Sequence, residues 1–170
     1  AADRGEAQFP PLFEQYCAQH GDTEFLVDGE IRTTFAGILE AAREVAGALV
    51  EGQGVKKGDR VGIAARNSTN WIVAYMGVLM AGGCAALLNG WWSGEEMAAG
   101  IELTGCKLVL ADGQRAARIA ELGASCRIVV FEHDKPWREG LAQVLTAGGG
   151  AATELPELAG DDLATILYTS

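Results

Sequence analysis

The amino-acid sequence predicts an α/β fold, a mostly parallel sheet with helices on both faces. Three observations predict it. From about residue 59 onward, short runs that are apolar along their whole length alternate with helix-length segments, as in Val61-Gly62-Ile63-Ala64-Ala65, Leu108-Val109-Leu110-Ala111 and Ile128-Val129-Val130-Phe131. A strand that is apolar on both sides needs cover on both sides, which helical crossovers between parallel strands supply; such crossovers are right-handed. The chain also has the means to build a core: 170 residues, 49% apolar and 21% charged, suit one unit in the usual range of roughly 100–200 residues.

Each element has its own justification. Pro10-Pro11 open a short helix, proline being at home in a first turn; Leu12, Phe13 and Tyr16 share one side, and His20-Gly21 ends it. Residues 24–27 form a strand that turns at Asp28-Gly29, a hairpin dipeptide. Thr33 or Thr34 caps a long helix. In it Phe35, Ile38, Leu39, Ala42, Val45, Ala46 and Leu49 recur at three- and four-residue steps, while Glu40, Arg43, Glu44 and Glu51 take the opposite face. Gly52 and Gly54 stop it.

Strands at 61–65, 85–88, 108–111 and 128–131 then alternate with helices at 71–80, 93–103 and 114–122. Ser93-Gly94-Glu95-Glu96 reads as a capping box. After Pro136 a short helix runs to about residue 145, and Gly148-Gly149-Gly150-Ala151-Ala152 is the one linker-like stretch. A buried strand over 163–168 carries Thr169 and Ser170 to its carboxyl end, where open α/β sheets bind ligands.

Composition excludes some functions. A net charge of −10 disfavours general nucleic-acid binding, which needs cations to displace phosphate counterions, and docking on anionic membranes. The four cysteines (Cys17, Cys84, Cys106, Cys126) are widely spaced without a C-x-x-C pair. They read as reduced core thiols in a cytoplasmic compartment. Asp3, Arg4 and Glu6 leave no apolar stretch for a secretory signal. The uncharged run between Arg66 and Glu95 reaches the length of a membrane span, about 18 residues. Asn67-Ser68-Thr69-Asn70 cap it and Gly82-Gly83 divide it, so it reads as a buried helix followed by a strand, with no transmembrane segment.

Several constellations invite a chemical reading and lose it on spacing. Gly52-x-Gly54-x-x-x-Gly58 has its last glycine one residue late and follows a helix, whereas a dinucleotide fingerprint follows a strand. Ser93 sits one position late for a nucleophile elbow. His133, in the polar run Glu132-His133-Asp134-Lys135, has no nucleophile placed beside it. Lys56-Lys57-Gly58-Asp59-Arg60 reads as a solvated turn. Trp91-Trp92 is the strongest oddity: two adjacent indoles follow a buried strand at its carboxyl end, where they can either border a ligand or pack on a neighbouring element.

Taken in order, these segments resemble the adenylate-forming (AMP-binding) superfamily in its acyl-CoA synthetase branch. The resemblance rests on Thr34-Phe35 before the long helix, on Gly54-Val55-Lys56-Lys57-Gly58-Asp59-Arg60-Val61-Gly62-Ile63, and on Asn67, Trp71 and the run to Met80-Ala81-Gly82-Gly83. It continues through Leu87-Leu88-Asn89 with Trp91-Trp92 and Glu95-Glu96-Met97, and ends on Asp161-Asp162-Leu163-Ala164-Thr165-Ile166-Leu167-Tyr168-Thr169-Ser170. The chain departs from the peptide-synthetase version, which carries Tyr-x-Pro-Ile-Asp at the Asn89 region.

The resemblance implies an incomplete N-terminal part of the adenylate-forming large domain. Residues 1–58 would supply helices and a hairpin, and 59–170 an α/β subdomain truncated before the phosphate loop. It implies a carboxylate–CoA ligase that joins an acid to ATP, releasing pyrophosphate, and then passes the acyl group to CoA, with ATP, Mg2+ and CoA as cofactors. The partners implied are a small carboxylic acid and the remainder of the polypeptide. Thr169 and Ser170 would begin the nucleotide-binding loop, Tyr168 would pack under it, and Trp91 and Trp92 would border the CoA channel. No catalytic residue and no metal ligand is expected within these residues, so the piece alone is expected to be inactive and to leave an apolar sheet edge or face exposed. The competing expectation is a stand-alone Rossmann-like ligand-binding or interaction module.

Overall fold

The computed structural model describes residues 9–146 and 154–169; Ser170 and the glycine run lie outside them. Helix α1 (Phe9–His20) leads into a two-stranded antiparallel hairpin of β1 (Glu24–Asp28) and β2 (Ile31–Thr34). Gly29 makes its turn with φ +59°, a backbone region open to glycine. Helix α2 (Phe35–Glu51) starts where the Thr34 hydroxyl accepts the Gly37 N–H at 3.1 Å, so of the two threonines the second is the cap.

The rest builds one sheet. Its strands are β3 (Arg60–Ala64), β4 (Cys84–Leu87), β5 (Leu108–Asp112), β6 (Arg127–Phe131) and β7 (Thr165–Leu167). They lie in the order β6-β5-β3-β4-β7, and every adjacent pair is parallel. The connecting helices are α3 (Thr69–Met80), α4 (Gly94–Thr104) and α5 (Gly113–Glu121), followed by α6 (Trp137–Gly140) and α7 (Ala142–Leu145). The single helix expected after Pro136 is thus two short ones, broken at Leu141.

Alternate side chains of the strands feed two cores. Val61, Ile63, Ala85, Leu108, Leu110, Val129 and Phe131 pack with α2, α3 and α7. Ala64, Ala86, Val109 and Ala111 pack with Met97 and Ile101 of α4 and Ala116 and Ile119 of α5. Burial on both faces is why these strands read as unbroken apolar runs. Helices α2 and α3 meet closely at Gly77, where an added Cβ would lie 2.8 Å from Val45 Cβ.

The final strand corrects the sequence reading. It spans three residues, not six, and lies at the sheet edge with β4 as its partner. Leu163 and Leu167 are exposed, Leu167 by 72%. An apolar run carries no information about how many neighbours a strand has, so an edge strand was indistinguishable from a buried one. The uncharged run divides as read, into α3 and β4; among the described residues no helix is long and apolar enough to cross a membrane.

Candidate functional site

The carboxyl ends of β3, β5 and β6, with the loop after β4, surround a cavity of about 310 Å³ lined by Arg66, Trp91, Asp112, Gly113, Gln114, Arg115 and His133. Central β3 lies between β4 and β5. Helix α3, which follows β3, packs on one face, whereas α4 and α5 pack on the other. Loops leaving in opposite directions open a crevice at such a point.

Asp112 organises this crevice. As the cap of α5 its Oδ1 accepts the Arg115 N–H at 3.1 Å, while its Oδ2 accepts the Arg66 N–H at 2.9 Å and Arg115 Nη1 at 2.7 Å. The pair is nearly buried, with side-chain exposure of 11% for Arg115 and 3% for Asp112. Arg115 Nε donates to the Gly90 carbonyl at 3.0 Å. Position 90 must be free of a side chain for this approach, since a Cβ would lie 2.8 Å from Nε. His133 reaches the cavity on a turn held by Asn70, whose Nδ2 donates to the Glu132 and Lys135 carbonyls at 2.7 and 2.9 Å. Two arginines, a histidine and one aspartate therefore line the same cavity. On a chain of net charge −10 the lining is locally rich in cationic residues, and a guanidinium fork is chemically suited to phosphate oxygens.

The two tryptophans part company. Trp91 is 91% exposed at the cavity lip, its backbone N–H held by Asn89 Oδ1 at 3.0 Å. Trp92 turns inward, its ring meeting Tyr168 edge-on with centroids 5.0 Å apart, and Arg118 Nη1 donates to its carbonyl at 3.3 Å. The loop between them and α4 ends in the expected capping box, with Ser93 and Glu96 exchanging bonds at 3.2 and 2.8 Å.

Thr169 follows β7 and is exposed, on the same sheet end as the cavity. Tyr168 before it is half-buried, and burial pushes its phenol up, with Cys106 adding to the shift and the Thr104 hydroxyl opposing it. A larger cavity of about 650 Å³ lies between α1 and α2, lined by Cys17, Leu39, Arg43, Glu44 and Leu155 among others. It is away from the strand ends and brings no phosphate-binding set together, so the smaller cavity is the better candidate.

A family model described as AMP-binding enzyme matches residues 13–170. The chain belongs to the AMP-binding enzyme family. Among curated AMP-binding relatives, it is 31% identical over 125 residues to the medium/long-chain-fatty-acid–CoA ligase FadD6 of Mycobacterium tuberculosis, covering 74% of this chain and 21% of that one. It is 33% identical over 121 residues to the AMB antimetabolite synthetase AmbB of Pseudomonas aeruginosa, covering 69% of this chain and 8% of that one. In structure it is similar to the inhibitor-bound N-terminal domain of FACL13 from Mycobacterium tuberculosis, with a TM-score of 0.82 and 23% identity over 96% of this chain and 41% of that one. At that identity the likeness speaks for the fold alone. The chain thus spans about a fifth of FadD6 and a smaller part of AmbB.

Within this AMP-binding fold, the anticipated site residues Thr169 and Trp91 stand at the same end of the sheet, and Trp92 packs behind the strand that carries Thr169. Sequence reasoning missed Arg66, Asp112 and Arg115. A signal for them existed: an aspartate ending an apolar strand, followed by a helix, is an N-cap, and an arginine three residues on lies above it.

Proposed function

We propose that the protein is an ATP-dependent carboxylate–CoA ligase of which these residues form the N-terminal part. The similarity to a fatty-acid–CoA ligase over 74% of the chain carries the reading. In the first half-reaction, a substrate carboxylate oxygen attacks the α-phosphorus of ATP, forming acyl-AMP and expelling pyrophosphate. In the second, the CoA thiolate attacks the acyl carbon and AMP leaves. Thr169 and Ser170 begin the loop whose hydroxyl and N–H groups face the phosphates, since such donors stabilise charge that develops there. The cavity of Arg66, Arg115 and His133 takes a phosphate of CoA, and Trp91 offers a face to its base. Trp92 contributes to that channel only by supporting the loop. Mg2+ arrives with ATP as part of the substrate. Among the described residues no group of three or more His, Cys, Asp or Glu side chains could hold a metal ion.

In this reading residues 1–58 and 59–170 act as two parts of one larger catalytic domain. These 170 residues alone do not complete the reaction, and the four free thiols suit a reducing cytoplasm. The test is acid-dependent exchange of labelled pyrophosphate into ATP by the full-length protein across fatty, aryl and short-chain acids, followed by detection of the CoA thioester. If no acid supports exchange, the ligase reading is wrong; acyl transfer to a carrier-protein thiol in place of CoA would favour a peptide-synthetase role. Robust exchange by the 170-residue chain would refute its proposed inactivity.

A further inference from the structure

Strand β7 is only three residues long, yet hydroxyl pairs pin it on both faces. On the α3 side the Tyr75 hydroxyl lies 2.9 Å from Thr165 Oγ1. On the α4 side the Tyr168 hydroxyl donates to the Gly100 carbonyl at 3.0 Å and lies 3.1 Å from Thr104 Oγ1. Thr104 spends its own proton on the same carbonyl at 2.8 Å. Its lone pairs are then left for the Cys106 thiol, 3.2 Å away, and for the single Tyr168 proton, which Thr104 Oγ1 and the Gly100 carbonyl share. Thr104 is buried in the last turn of α4, so a hydroxyl there has no water to fall back on.

Space is fitted around the same point. A Cβ on Gly100 would meet Trp92 Cζ3 at 3.0 Å, Leu88 Cδ2 at 3.2 Å and Tyr168 Cε1 at 3.4 Å. The Tyr168 ring is thereby fixed by one proton shared between two acceptors at its tip, by the α4 backbone beneath it and by the Trp92 edge beside it. Thr169 is one peptide further along, so the ring sets the direction in which the chain leaves the sheet.

We propose that Thr104 is a positioning residue for the nucleotide loop: acting through Tyr168, it fixes where Thr169 enters the phosphate site. The proposal rests on the ligase reading above. Thr104→Val keeps the shape and removes the hydroxyl, whereas Thr104→Ser keeps the hydroxyl. In the full-length protein Thr104→Val raises KM for ATP by roughly three- to ten-fold, the worth of one net hydrogen bond, and leaves KM for the acid and for CoA unchanged; Thr104→Ser restores the wild-type value. Tyr168→Phe removes the same bonds from the other side and serves if the valine variant does not fold. In the 170-residue chain, the β7 amides of Thr104→Val exchange hydrogen faster than in the wild type. An unchanged KM for ATP, an equal rise in all three KM values, or failure of serine to restore the wild-type value overturns the proposal. Absence of pyrophosphate exchange in the wild type overturns the ligase reading instead, and hydrogen exchange of the β7 amides then decides whether the pin exists.

Discussion

Asp112 and Arg115 form a nearly buried ion pair at the end of the sheet, and the same carboxylate holds the Arg66 N–H across the crevice. One acid thus caps α5, orients a guanidinium and ties two strand ends together. Buried pairs are weak evidence of net stabilisation, but removing one partner leaves an uncompensated charge, at a cost of about 3–5 kcal/mol. Asp112→Ala is expected to lose stability in that range in urea unfolding. Asp112→Asn, which keeps a capping oxygen, is expected to lose less than half as much. Equal losses would mean that the charge contributes nothing.

The helix pair α2–α3 gives a sign that propensity alone would get wrong. Alanine is favoured over glycine inside a helix by about 1 kcal/mol, so Gly77→Ala should stabilise α3. Its Cβ, however, would press on Val45, whose Cβ lies 2.8 Å away and whose β-branched side chain has little freedom to turn. Overpacking costs about 1–3 kcal/mol and wins. Gly77→Ala is expected to lower the melting temperature, and Val45→Ala added to it to recover part of the loss. An increase in the single variant would mean that the helices part easily.

Legibility differed between scaffold and site for a physical reason. Strand and helix periodicity, the Ser93 box and the Asn67–Asn70 helix start are local patterns, and local sequence determines them. The cation cavity is not local: Arg66, Arg115 and His133 come from a loop, a helix start and a turn that follow three different strands, and strand order brings them together. The family resemblance, which covers most of the chain, foresaw the sheet, yet it treated Trp91 and Trp92 as a pair. Adjacent residues in a loop can face opposite ways, and here Arg115 and Arg118, holding the Gly90 and Trp92 carbonyls, decide which indole turns in.

That division can be measured. Trp91 is almost fully exposed, and surface substitutions away from structural features stay within about 0.5 kcal/mol, so Trp91→Ala is expected to leave the unfolding midpoint unchanged. Trp92→Ala removes the ring from Tyr168 and the α4 surface. It is expected to cost about 2 kcal/mol, less than the 3–5 typical of a fully buried tryptophan. Equal effects would contradict the opposite orientations.

Burial pushes all four thiols up: Cys17, Cys84, Cys106 and Cys126 each owe the shift first to desolvation. Little thiolate is present at neutral pH, and only the thiolate reacts quickly. Cys126 alone of the four is not buried. A limiting amount of iodoacetamide at pH 8 is expected to label Cys126 first, with the others following only on unfolding. Early labelling of Cys106 would show that the Thr104–Tyr168 region opens.

Asp162 fastens the approach to β7. Its Oδ2 accepts the Ala159 N–H at 2.6 Å and pairs with Lys57 Nζ at 2.7 Å, and Lys57 also donates to the Glu157 carbonyl at 3.0 Å. The Ala159 bond first, then Lys57, lowers the carboxyl below its ordinary 3.8. A carboxyl depressed in the folded state contributes stability that is fully present above the unfolded value and is lost as pH falls through the folded one. The pair is exposed to water, so the effect is confined to the turn and is weakened by salt. The Ala159 amide resonance is expected to titrate with a midpoint below 3.8, and Asp162→Asn to abolish that titration. A midpoint above that value would mean that neither the amide nor Lys57 favours the ionised carboxyl.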